Sequence, residues 1–149
     1  GERCGNAATE LILVNMYLAG WLPEGMHVEA IPRYVHLVSE ACRVPIPNGY
    51  PVVGNDAFET GTGVHAAAVV KAYRKDDPWL ANRVYSGVPA DELGFDQRIV
   101  IGPMSGRSNV AYWLEKRNIE PTEERVDRIF ERAKQATRVL TEDEVRELI

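Results

Sequence analysis

Hydrophobic positions recur with helical spacing over most of the chain and with strand spacing in only one segment. The pattern predicts helices over residues 7–19, 31–42, 64–73, 79–85, 105–117 and 122–137, and a last short helix after Thr141. Thr122 is a predicted N-cap, and Thr141 with Glu144 has the spacing of a capping box. The segment 97–101 is the one convincing strand. The sequence therefore predicts a mostly α fold with little strand.

The first predicted helix is apolar around most of its circumference. Asn6 is a candidate N-cap for it, and Gly20 is a candidate stop. Such a helix requires burial on several sides, so we expect much of it to be exposed in the chain taken alone. After the amphipathic second helix, Pro45, Pro47 and Pro51 mark a loop that is the best candidate domain boundary.

Charge and composition exclude several classes of protein. The net charge is −5, and the 17 Lys and Arg residues are dispersed, which argues against a nucleic-acid partner. No apolar run reaches the roughly 20 residues of a transmembrane helix, and we expect no signal peptide ahead of the fold. Cys4 and Cys42 lie in unlike contexts and do not form a secreted disulfide framework. We therefore expect reduced thiols, a cytoplasmic location and no membrane partner.

The glycine-flanked loop at residues 1–6 is the first candidate site, because it leads directly into a helix. Backbone N–H groups at a helix start can bind an anion. The Asn6 side-chain oxygen suits a hard divalent cation such as Mg²⁺ or Mn²⁺ and is tolerated by Zn²⁺. The alternative, which spacing alone favours, is that Asn6 only caps the helix.

Two further segments carry candidate chemistry. His65 falls in the first turn of a predicted helix, where the dipole disfavours its cation and a neutral, proton-exchanging imidazole is expected. It can equally be an ordinary surface or core histidine. In the segment Ser105-Gly106-Arg107, Ser105 is a candidate N-cap, Gly106 permits a close approach, and Arg107 could bind a phosphate or carboxylate. A purely structural role is the stronger alternative there.

These segments together resemble the 2-isopropylmalate, homocitrate and citramalate synthase family, which belongs to the HMG-CoA-lyase-like barrel superfamily. Residues 1–7 are similar to its GER-x-GN loop, and the resemblance implies that Asn6 is a ligand of the catalytic divalent metal (Mg, Mn or Zn) and that Glu2 binds substrate. Residues 55–66 are similar to its NAF-x-HESGIHQDG segment, which implies that His65 assists proton transfer in the partner subunit's active site. Residues 101–109 are similar to its GKHSGR segment, which implies substrate binding by Arg107.

The chain departs from the family pattern at several positions. Glu59 and Thr60 replace the His and Glu of the linker motif, and Ala66-Ala67 replaces its Gln-Asp. Pro103-Met104 replaces a Lys-His pair. Phe95 lies where some relatives place an active-site tyrosine, so we expect that hydroxyl to be missing. The departures leave the choice of 2-oxo acid open.

The resemblance implies a fold in three parts. Residues 1–45 would be the last βα loop and helix of an α/β (TIM) barrel, 46–104 an α+β linker subdomain carrying the histidine segment, and 105–149 a helical subdomain. The implied function is that of the C-terminal part of an acyltransferase that condenses acetyl-CoA with a 2-oxo acid in leucine or related amino-acid biosynthesis. Its implied partner is a second copy or the missing barrel half. The family's other metal ligands, an Asp and a His-x-His pair, are absent, so we expect the isolated chain to be inactive.

Two other functions remain open at this point. The chain could be a standalone dimerisation or complementation module derived from the family. It could also be a fragment of an HMG-CoA-lyase-like C–C lyase, since Gly5, Asn6, Ala8, Thr9 and Glu10 match a GN-x-ATE variant found there. That lyase would require an upstream cysteine loop, which these residues do not contain.

Overall fold

The computed structural model describes residues 5–149, and most of its regular structure is helical. The α-helices are α1 (Thr9–Leu18), α2 (Ile31–Cys42), α3 (Gly63–Arg74), α4 (Pro78–Ala81), α5 (Arg107–Glu115), α6 (Glu123–Gln135) and α7 (Glu142–Arg146). The strands are β1 (Glu59–Thr60) and β2 (Arg98–Ile99), which pair in parallel, and two 3-10 turns lie at Val28–Ala30 and Asp91–Leu93. None of the helices within residues 5–149 is long and apolar enough to cross a membrane.

The chain folds as two compact units. The first contains the described residues up to Phe58 together with Gly87–Asp96, and the second contains Glu59–Ser86 together with Gln97–Ile149. The units reflect contacts within this chain, whereas the three domains expected from the family resemblance refer to a complete family protein. Those domain boundaries, and the barrel origin of the first domain, therefore stay predictions.

The first unit has a small apolar core built from α1, α2, the loop after α2 and the Gly87–Asp96 segment. Its buried members are Val14, Val28, Ile31, Val52, Val53, Phe58, Ala90 and Leu93. Helix α1 buries only Val14, while Ile12 and Leu18 each expose 45% of their surface. This exposure agrees with the expectation for an apolar helix in the chain taken alone.

The second unit contains two apolar clusters. In the first, α3 packs against α4, β2 and α5, and the cluster consists of Ala66, Val69, Val70, Ala72, Ala81, Ile99 and Tyr112. The second joins α5 to α6 and α7, and consists of Ile101, Val110, Trp113, Leu114, Val126, Ile129, Ala133, Leu140 and Val145. Helix α6 contributes residues three and four positions apart, as an amphipathic helix does. Helix α5 is common to both clusters and so connects them.

The predicted helix ends agree with the structure where a side chain caps the backbone. The Thr122 hydroxyl accepts a hydrogen bond from the Arg125 N–H, and Thr141 and Glu144 form the predicted capping box. The predicted cap at Asn6 is wrong, because α1 begins after Ala8 and has no side-chain cap. The helix predicted over 79–85 is also too long, since α4 ends at Ala81.

Candidate functional site

His65 lies in the first turn of α3 and exposes its side chain to solvent. Its imidazole stacks on the phenol ring of Tyr85, with ring centroids 4.2 Å apart and planes inclined by 29°. Such a stack restricts rotation of both side chains while leaving the edges of the imidazole accessible. The arrangement therefore presents a solvent-accessible imidazole, held in one orientation, beside a phenol.

A buried polar network joins the histidine segment to the segment before α5. The Ser105 hydroxyl accepts from the Gly102 N–H at 2.9 Å and lies 2.7 Å from the Gly61 carbonyl oxygen, to which it donates. The Asn109 amide donates to the carbonyl oxygens of Gly61 at 3.0 Å and Val100 at 3.1 Å. Two of the three predicted motifs are thus in direct contact.

The prediction that Ser105 is the N-cap of α5 is wrong, because its hydroxyl is bonded to Gly61 and Gly102. The N-cap of α5 is Gly106, whose N–H donates to the Asn109 side-chain oxygen at 3.1 Å. The predicted close approach at Gly106 is present, but the residue that must lack a side chain is Gly63. A Cβ on Gly63 would lie 2.8 Å from the Gly106 nitrogen.

Arg107 occupies the first position of α5, and its side chain is half exposed. Its guanidinium forms an ion pair with the Asp127 carboxylate on α6. The predicted carboxylate-binding capacity is therefore engaged within the chain in this structure. A substrate anion would have to share or replace Asp127, and substrate binding by Arg107 stays a prediction.

Asn6 is exposed and belongs to the first unit, whereas Glu2 lies outside the described residues. No group of three or more His, Cys, Asp or Glu side chains within residues 5–149 is arranged to hold a metal ion. A single exposed amide oxygen does not fit a divalent metal, which requires several oxygen or nitrogen ligands. The described residues thus do not form a metal site by themselves, and the role of Asn6 stays a prediction.

Tyr85 and Asn109 are the residues that sequence reasoning missed. Phe95 stands at the position where some relatives place an active-site tyrosine. It packs against Phe58 in the first unit, with ring centroids 5.4 Å apart. A phenol is nevertheless present beside the histidine, because Tyr85 stacks on His65. Tyr85 follows the end of α4 by only four residues, and no periodicity distinguishes it. An asparagine three residues after a glycine N-cap was the one signal that could have identified Asn109.

Comparison with curated proteins relates about nine tenths of the chain to three kinds of synthase. The chain is 33% identical over 134 residues to homocitrate synthase AksA of Methanopyrus kandleri, covering 90% of this chain and 32% of that protein. It is 29% identical over 135 residues to a probable 2-isopropylmalate synthase of Archaeoglobus fulgidus, covering 91% and 25%. It is 26% identical over 135 residues to (R)-citramalate synthase CimA of Methanocaldococcus jannaschii, covering 91% and 26%.

The chain spans about a quarter to a third of the length of these relatives. No protein-family model matches it. The resemblance read from the three motifs is confirmed by these relatives, which carry the same three synthase names. The chain belongs to the family of the 2-isopropylmalate, homocitrate and citramalate synthases.

Proposed function

We propose that this chain is part of an acyltransferase that condenses acetyl-CoA with a 2-oxo acid. The observation that carries the proposal is the relationship to three kinds of synthase over about nine tenths of the chain, including the histidine segment. Because the chain spans a third of those relatives or less, the activity is proposed for the complete protein that contains it. We expect the isolated chain to be inactive, and the complete protein to act in the cytoplasm.

Within this proposal, His65 transfers a proton during the condensation. A base removes a methyl proton from acetyl-CoA, and the resulting carbanion forms a bond to the ketone carbon of the 2-oxo acid while the π electrons of that carbonyl move onto its oxygen. The alkoxide oxygen takes up a proton, and a water molecule then hydrolyses the thioester to release CoA. The exposed imidazole can accept or donate a proton without rearrangement of the chain, and the stack on Tyr85 holds its orientation. Tyr85 enters the proposal only through this contact.

The remaining roles concern binding. Arg107 would bind the carboxylate of the substrate, and Glu2 would also contact the substrate. Asn6 would supply one ligand of a divalent metal whose other ligands come from elsewhere in the complete protein. Relatives of all three names are similar over the same extent of the chain, so we propose a 2-oxo acid as the substrate class and leave leucine biosynthesis as one pathway among several.

The test is CoA release from acetyl-CoA by the protein expressed from the complete reading frame. A thiol reagent would measure release with 2-oxoisovalerate, pyruvate, 2-oxoglutarate and oxaloacetate in turn, in the presence of Mn²⁺. We expect release with at least one of them, and a fall in kcat of about 10²-fold or more for His65→Ala. His36→Ala is the matched control, since His36 is also exposed on a helix but lies in the first unit.

Two results would contradict this proposal at different levels. A folded complete protein that releases no CoA with any of the four acids would refute the condensation. Equal kcat values for His65→Ala and His36→Ala would refute only the role of His65 and would leave the condensation standing.

A second candidate function is self-association, which the apolar surface of α2 favours. Tyr34, Leu37 and Val38 expose 45%, 63% and 40% of their surfaces. Exposed apolar residues this close together are typical of a surface that packs against another protein, and here the proposed partner is a second copy of the chain. Light scattering of the 149-residue chain tests this function, with a dimer expected and a monomer at high concentration contradicting it. Leu37→Asp should then reduce the dimer, whereas His36→Asp, at an exposed position on the other side of α2, should not.

A further inference from the structure

The loop that leads into α3 is bonded to one other segment of the second unit, residues 100–109. The Val100 N–H donates to the Thr60 carbonyl oxygen at 3.1 Å, and the Gly63 N–H donates to the Met104 carbonyl oxygen at 2.9 Å. Between these two bonds, the Gly61 carbonyl oxygen accepts from both Ser105 and Asn109. The loop is therefore attached on both sides of Gly61 as well as at Gly61 itself.

Asn109 uses its whole side chain in these attachments. It is fully buried, its amide nitrogen donates to Gly61 and Val100, and its side-chain oxygen accepts from the Gly106 N–H. Ser105 is 2% exposed, and its hydroxyl lies 3.3 Å from the Asn109 nitrogen. We call Ser105 and Asn109 the polar clasp. Buried hydrogen bonds of this kind are directional, so they select one arrangement of the two segments.

The start of α3 has no cap of its own. Thr62 is the N-cap residue, but its side chain makes no capping hydrogen bond. The first N–H of the helix, at Gly63, is instead bonded to Met104. His65 lies only two residues further along, so its backbone position follows from the bonds that the preceding loop makes.

We propose that Asn109 and Ser105 are positioning residues for His65: by holding the Gly61 carbonyl, they fix the first turn of α3 so that the imidazole keeps its stack on Tyr85. The functional importance of this position rests on the proton-transfer role proposed for His65. The position itself does not, and it can be measured without any turnover.

The experiment is nuclear magnetic resonance on the 149-residue chain, which records the ring protons of His65 and Tyr85. Asn109→Asp keeps the shape of the side chain, but an ionised carboxylate cannot donate to the carbonyl oxygens of Gly61 and Val100. We expect the cross-peaks between the two rings to fall at least twofold and the His65 shifts to move towards those of an unstacked histidine. Lowering the pH until the introduced carboxylate is protonated restores one donor, so we expect partial recovery of the cross-peaks.

Matched variants separate positioning from general stability. Asn118→Asp makes the same substitution at an exposed residue beyond the other end of α5, and we expect it to leave the His65–Tyr85 cross-peaks unchanged. Ser105→Ala removes a single hydroxyl and should reduce the cross-peaks less than Asn109→Asp does. If Asn109→Asp does not fold, Ser105→Ala decides the question alone.

The proposal is overturned if a folded clasp variant keeps the native His65–Tyr85 cross-peaks, even when that variant is less stable than the native chain. In that case the clasp only stabilises the unit. Displaced rings together with a complete protein that releases no CoA would support the clasp and refute the proposed condensation. The two proposals therefore fail on different measurements.

Discussion

Gly63 is the position at which adding a single carbon atom should have the clearest structural effect. In Gly63→Ala the new Cβ would lie 2.8 Å from the Gly106 nitrogen and 3.2 Å from the Gly106 Cα. Both are backbone atoms at the start of α5, so neither can rotate away, and α3 must move relative to α5. Overpacking of this kind costs about 1–3 kcal/mol, whereas replacing glycine by alanine at an unstrained position gains about 0.4–1 kcal/mol through the unfolded chain. The clash is the larger effect, and we expect a net loss of about 1–2 kcal/mol.

Urea unfolding followed by tryptophan fluorescence measures this loss in the second unit. Trp113 is 6% exposed, whereas Trp21 and Trp79 are 75% and 63% exposed, so the signal change comes mainly from Trp113. Gly87→Ala is the matched control, because its Cβ would meet no atom within 4 Å. We expect the control to be as stable as the native chain or slightly more stable. A Gly63→Ala variant with an equal or higher unfolding midpoint than Gly87→Ala would refute the steric reasoning.

Three further predictions concern the core and the charged groups. Ile129→Ala, at a fully buried position, should lower the free energy of unfolding by about 2–5 kcal/mol because it leaves a cavity, and an unchanged urea midpoint would contradict this. Hydrogen bonds from arginine side chains lower the pKa of Glu142 and of Glu144 to about 2 from 4.5. The stabilisation of the folded chain by these two carboxylates is therefore complete above about pH 4.5 and is lost as the pH falls towards 2. Replacing both residues by Gln should remove this fall from the pH profile of the urea midpoint. The hydrogen bond to Glu10 raises the pKa of Tyr50 to about 12 from 10.0, so its stabilisation is lost as the pH rises from about 10 to 12. Glu10→Gln should return the phenolate absorbance titration of Tyr50 towards 10.0, and no change would contradict the bond.

Helix positions could be predicted from the sequence where the determinants are local. The predicted bounds of α2 are those of the structure, since an amphipathic pattern and a proline-rich loop mark its extent. Thr122 and Thr141 were correctly identified as caps, because a hydroxyl next to a free helix end needs no distant partner. Asn6 failed as a cap because α1 begins two residues later, with the extended backbone at Ala8.

The arrangement of the candidate site could not be predicted, because its contacts are distant in sequence. Asn109 lies 48 residues from Gly61, and Tyr85 lies 20 residues from His65. Periodicity describes the face of one helix and carries no information about which loop that helix will meet. Motif resemblance identified the histidine segment and the Ser-Gly-Arg segment separately, while their contact follows only from the fold.

The path of the chain between its two units restricts how the protein can be divided. The chain passes between them three times, at 58/59, 86/87 and 96/97. An expression clone that stops after Phe58 would lack Ala90 and Leu93, which are buried in the core of the first unit. A clone that starts at Glu59 would carry the ten residues of Gly87–Asp96 without the rest of the core that their apolar side chains pack against. Neither unit is therefore obtained by a single truncation. A single protease cut at any one of the three crossings likewise gives fragments that either have an incomplete core or carry part of the other unit.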